Sequence, residues 1–122
     1  MNIVITGSRE WTDEETIRAW LSRLPKGTRI AHGACRGADE LAAEIACQLR
    51  FQVAAYPADW SQGAKAGPIR NAAMLRAEKP SRVFAFALVD SHGVPSAGTD
   101  DCIRRALAMG VPVTVCPVGS RP

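Results

Sequence analysis

Five short apolar runs alternate with four stretches of helical periodicity along this chain. The runs Asn2–Thr6, Arg29–His32, Phe51–Tyr56, Arg82–Leu88 and Pro112–Cys116 are near-continuous hydrophobics, the pattern of strands buried on both faces. The first helix is predicted to begin at Thr12, with Glu15 completing a capping box. Its inward stripe is Ile17, Trp20, Leu21 and Leu24, and Pro25 with Gly27 ends it. The second follows Gly37, with Leu41, Ile45 and Leu49 inside. The third starts at Gly67-Pro68, proline being favoured at the first helical position. The fourth starts at Thr99, with Asp100 and Asp101 in its first turn, and Gly110 and Pro112 end it.

The resulting order, βαβαβαβαβ, predicts an α/β fold: one doubly wound parallel sheet of about five strands with helices on both faces. At 122 residues the chain is one domain with a sizeable core. The domain is expected to span residues 1–118, with 119–122 a loose tail.

Ligands of open parallel sheets sit beyond the carboxyl ends of the strands. Four segments leave those ends here: TGSREW, HGACRGAD, YPADWSQGAKAGPIRN and VDSHGVPSAGTDD. Each contains glycine and each leads into a helix N-terminus, where amides and dipole favour an anion. The opposite edge carries only the short turns LPKG and AMG. If the strand order is 3-2-1-4-5, Gly7-Ser8-Arg9 and Gly93 to Thr99 wall the crevice at the switch point, with Thr99 capping the last helix. Candidate ligand groups are therefore Gly7, Ser8, Arg9, Gly33, Arg36, Gly37, Arg70, Asn71, Gly98 and Thr99. Trp11 and Trp60 lie near the same edge, as base-stacking platforms or as packing staples. His32 reads as a satisfied core histidine.

Composition narrows the classes. The charge of +3 is too small to argue for nucleic acid by itself. Twelve of the fifteen basic residues are arginine, whose planar fork suits phosphate, although a codon bias would give the same count. Cys35, Cys47, Cys102 and Cys116 lack metal-ligand spacing and read as reduced thiols, so neither metal nor cofactor is expected. No apolar run reaches the ~20 residues of a membrane span. The chain opens directly on a strand without a leader pattern, so a cytoplasmic protein is expected.

Taken in series, GSREW, HGACRGAD, YPADW, AGPIRNAAM and GTDDCIRRA resemble the YspA/YpsA-related branch of the SLOG superfamily. That superfamily is named for the DNA-processing protein Smf/DprA and the Lonely Guy phosphoribohydrolases. The resemblance runs from Asn2 to about Val115. It implies a Rossmann-like domain that binds a nucleotide or nucleotide-derived small molecule, with homodimers in related families. Some members cleave N-glycosidic bonds. Arg70 to Met74 is similar to the Lonely Guy R-x-x-x-M motif, which implies that Arg70 steadies phosphate or substrate. The second motif, G-G-x-G-T-x-x-E, is matched only at Gly98-Thr99, and Cys102 stands where the glutamate belongs. Glycoside cleavage passes through an oxocarbenium-like state that requires a carboxylate, which a thiol does not replace. Asp39, Asp59 and Asp101 are the alternative catalytic carboxylates, alongside structural roles for Asp39 at its helix and Asp59 in its turn.

Three functions fit these residues: a nucleotide-binding or sensing module, a phosphoribohydrolase acting on nucleoside 5′-monophosphates, and a DprA-like single-stranded DNA binder. Low net charge and few exposed aromatics argue against the last.

Overall fold

The computed structural model covers residues 1–122. Its strands are β1 (Asn2–Gly7), β2 (Arg29–His32), β3 (Gln52–Ala55), β4 (Arg82–Phe86) and β5 (Val113–Val115). The helices are α1 (Glu14–Leu21), α2 (Ala38–Gln48), α3 (Ala66–Glu78) and α4 (Ala97–Ala108). All strand pairs are parallel and the order is β3-β2-β1-β4-β5. The expected doubly wound architecture is the one found.

Side chains of β1 alternate between two cores. Ile3 and Ile5 pack with α1 and α2, on Ile17, Leu21, Ala42 and Ile45. Val4 faces the opposite layer, against Met74 and Leu75 of α3 and Cys102 and Ala106 of α4. A strand buried on both faces needs apolar residues throughout, which is why the runs of β1, β2 and β4 do not alternate; the edge strands β3 and β5, expected to be buried likewise, are only partly covered. The inner stripe of α2 is built from Ala38, Ala42, Ile45 and Ala46. Leu41 and Leu49 pack only at its margin, because small residues let this helix lie close to the sheet.

Several boundaries differ from expectation. Asp13, not Thr12, caps α1: its Oδ1 accepts the Thr16 amide at 3.1 Å, and the helix ends at Leu21, before Pro25. A short 3-10 segment, Trp60–Lys65, broken at Gly63, precedes α3. Helix α3 itself begins at Ala66, so Pro68 falls third, still within the turn whose amides have no helical partner. Helix α4 begins at Ala97, with Ser96 at the cap position instead of Thr99. Within the segment expected as a loose tail, 119–122, the first two residues are held against α1. The Gly119 amide donates to Asp13 Oδ2 and Thr16 Oγ1, at 3.0 and 2.8 Å, and Trp20 Nε1 donates to Ser120 Oγ at 3.0 Å. No helix is long and apolar enough to cross a membrane.

Candidate functional site

Strand β1 delivers Gly7 and Ser8 to the middle of the carboxyl edge. A Cβ on Gly7 would overlap the Phe86 carbonyl and the Ala38 side chain, so only glycine lets β1, β4 and α2 converge there. Ser8 then fastens three loops. Its amide donates to the Phe86 carbonyl at 3.0 Å, its carbonyl accepts the Ala38 amide at 3.1 Å, and its Oγ accepts the Leu88 amide at 2.7 Å. Gly37, at φ 78°, leaves no room for a side chain against the Ser8 and Arg9 carbonyls. Both glycines are therefore architectural.

Two guanidinium groups reach the cleft that results. Arg9 lies over the ring of Trp60, 5.2 Å from its centroid, a cation–π contact that holds both side chains at the mouth. Arg70, from the first turns of α3, is fixed across the gap between loops. Its Nη1 donates to the carbonyls of Gly33 and Tyr56, the latter at 3.2 Å, and its Nε donates to Asn71 Oδ1 at 2.9 Å. Asn71 in turn donates through Nδ2 to the Gly98 carbonyl at 3.1 Å and to Asp101 Oδ2 at 3.0 Å. A single chain of hydrogen bonds thus sets Arg70 relative to the start of α4.

Asp39 lies at the base of the same cleft and is only 5% exposed. Its Oδ2 accepts the amides of Gly33 and Cys35, at 3.0 and 3.3 Å, and so shapes the β2–α2 loop. Its Oδ1 is buried and has no hydrogen-bond partner in the chain. Burial pushes this carboxyl up to about 6, although the Cys35 and Gly33 amides, Arg70 and Arg9 all favour its charged form.

The helix ends around the cleft differ: backbone carbonyls of Ser8 and Cys35 take the Ala38 and Glu40 amides of α2, and the Gly63 carbonyl takes the Ala66 amide of α3. No side chain caps α2, α3 or α4, whereas Asp13 closes α1. At α4 the uncapped first-turn amides with the helix dipole form an anion seat. At α4, a Cβ on Gly98 would meet only open space.

The cleft has a volume of about 470 Å³ and draws lining residues from all four loops. Of the groups expected from the sequence, it gathers Gly7, Ser8, Arg9, Asp39, Trp60, Arg70, Asn71, Gly98 and Thr99. Gly33 lies directly behind the Arg70 guanidinium. Other expectations are corrected. Trp11 is no stacking platform: it is 1% exposed, packs edge-on against Phe86 at 5.7 Å, and donates Nε1 to the Asp13 carbonyl. Arg36 is turned to the rim, paired with Glu10 at 2.7 Å. Asp59 caps the 3-10 segment through Ser61 and Gln62 and lies outside the cleft. Asp101 is spent on Asn71 and Arg105 behind the wall. Thr6, Glu10, Cys35, Gly67, Leu88 and Ser96 also line the cleft. Their only sequence signal is membership of the four loops, except for Leu88, which the apolar run Arg82–Leu88 places at the end of the fourth strand. His32 is buried, and its Nδ1 accepts the Ala34 amide; burial and then Arg70 lower its affinity for a proton.

The model of the YspA, cpYpsA-related SLOG family matches residues 1–63. The Gene 61 protein of Mycobacterium phage D29 is 39% identical, over 91% of this chain and 92% of its own length. The chain belongs to the YspA, cpYpsA-related SLOG family. Among solved structures, DNA processing protein A (DprA) from Streptococcus pneumoniae superposes with a TM-score of 0.72 at 17% identity. It covers 93% of this SLOG chain, which spans 49% of the DprA chain. That likeness is one of fold. Cys102, which the resemblance sets against the Lonely Guy glutamate, is wholly buried in the α3–α4 core. Burial pushes its thiol up to about 11, so it presents no charge to the cleft.

Proposed function

We propose that this SLOG protein binds a nucleotide or nucleotide-derived ligand at the carboxyl edge of its sheet and acts as a binding or sensing module. The supporting observation is the convergence of all four loops on one cleft holding Arg9, Arg70 and the uncapped start of α4. Phosphate takes the amides and guanidinium groups, and Trp60, with Leu88 on the cleft wall, offers apolar surface to a base. A thermal-shift screen over nucleoside monophosphates, di- and triphosphates and cyclic nucleotides tests this. The melting temperature should rise with ligand concentration as RT ln(1 + [L]/Kd), with each nucleotide recovered intact by chromatography. No shift with any nucleotide overturns the reading.

A second reading, phosphoribohydrolase, is favoured by the carboxylate of Asp39 beside Arg70 in the cleft. Water would add at C1′ as the N-glycosidic bond breaks with its electron pair on the base. Asp39 would take the proton from water while the base gains one from solvent. Free base released from a monophosphate, and abolished in Arg70→Ala, would establish it. DprA is by name a DNA-processing protein, so oligonucleotides belong in the same screen. Single-stranded DNA binding with a steep salt slope would favour that relationship over a small-molecule role.

A further inference from the structure

We infer that the free oxygen of Asp39 receives a sugar hydroxyl, so that the cleft selects ribonucleotides over their deoxy counterparts. The inference rests on the nucleotide reading above and deepens it.

Oδ2 of this side chain is fully used by two backbone amides, which fixes the carboxylate plane. Oδ1 is then left buried and without a partner, in a side chain that borders the cleft. A buried acceptor in that state carries an uncompensated desolvation cost, which a ligand donor relieves. The surroundings decide what kind of donor. Arg9 and Arg70 both bias Asp39 electrostatically, so a further cation, whether metal or ammonium, is disfavoured. No three His, Cys, Asp or Glu side chains gather there as a ligand set either. A neutral O–H is compatible with both constraints. The same cleft supplies anion partners, so the ligand must carry a phosphate and a hydroxyl a short distance apart. Ribose 5′-phosphates meet that requirement, and general experience with α/β nucleotide sites places an acidic side chain against the ribose hydroxyls.

Selection by hydroxyl is strong when the alternative leaves a buried polar group unpaired. A charge-assisted hydrogen bond of this kind corresponds to tenfold or more in affinity, to order of magnitude.

The test is calorimetric titration of the whole chain with AMP, GMP, CMP and UMP, each beside its 2′-deoxy and 3′-deoxy form. At least one ribonucleotide should bind about tenfold or more tightly than one of its deoxy partners. In Asp39→Asn, whose amide oxygen can keep the Gly33 and Cys35 amides, the ratio should fall to within about threefold. Should that variant fold poorly, carboxyl ¹³C NMR of the wild-type chain gives the same information. A donated hydroxyl stabilises the carboxylate, so the Asp39 titration should move lower with the ribonucleotide than with the deoxynucleotide. Equal affinity for all three sugars overturns the inference and leaves nucleotide binding intact. A ratio that persists in a folded Asp39→Asn protein overturns it as well. Absence of binding by every nucleotide removes this inference together with the reading beneath it.

Discussion

The guanidinium of Arg70 fills the space that a side chain on Gly33 would need: a Cβ built there falls directly on it. Glycine at 33 is therefore part of the arginine's seat. The Gly33→Ala chain should fold, because this residue does not have a positive φ, but Arg70 must leave the carbonyls of Gly33 and Tyr56. Affinity for the best nucleotide of the thermal-shift screen should fall about tenfold or more, as in Arg70→Ala, with a stability loss of about 1–2 kcal/mol. Unchanged calorimetric affinity would show that Arg70 has no ligand role.

Trp11 and Trp60 should separate under mutation. Trp11→Ala removes a fully buried ring packed on Phe86 and should cost about 3–5 kcal/mol in denaturant unfolding. Trp60 is 52% exposed. Trp60→Ala should change stability by less than about 1 kcal/mol while weakening nucleotide binding, because Arg9 loses the ring that holds it.

Asp39 gives the chain a pH-dependent weakness. In the unfolded chain a carboxyl releases its proton near about 3.9, whereas folded Asp39 keeps its proton up to about 6. The folded state therefore binds more protons between these values. The stability that follows is complete below about pH 3.9 and is lost as pH rises through about 6. Asp39→Asn removes this titration, so the variant should be more stable than the parent at pH 7 by on the order of 2–3 kcal/mol, and the gap should close by about pH 4. Urea unfolding at the two pH values checks it. A carboxylate retained at such a cost to stability is characteristic of a functional group.

Glu78 behaves in the opposite sense. Its carboxylate accepts from Arg29 Nε and Nη2, at 2.8 and 3.1 Å, and from the Tyr56 hydroxyl. The Arg29 hydrogen bonds, then Tyr56, hold it below the usual glutamate range against the effect of burial. The stability it contributes is present above about 4.3, its unfolded value, and is lost as pH falls below that. Glu78→Gln should lower the melting temperature by a few degrees at pH 7, with the difference shrinking below pH 4. A constant difference across that range would mean that packing, not charge, is what matters at this position.

Hydrophobic pattern alone determined the doubly wound sheet and the edge on which the loops converge. Burial on both faces writes continuous apolar runs into strands, and helices between parallel strands leave few topologies. Local chemistry also placed Gly7, Ser8, Arg9 and Arg70 at that edge. Tertiary structure decided what the sequence left open, because those outcomes depend on contacts between residues far apart along the chain. Trp11 and Trp60 are the same residue type near the same edge, yet Phe86 draws one into the core and Arg9 holds the other at the mouth. Asp39, Asp59 and Asp101 are equal as letters. One is left with a free buried oxygen, one turns back on its own loop, and one is consumed by Asn71 and Arg105. Solvation and partner geometry separate them, and neither exists until the chain has closed around the cleft.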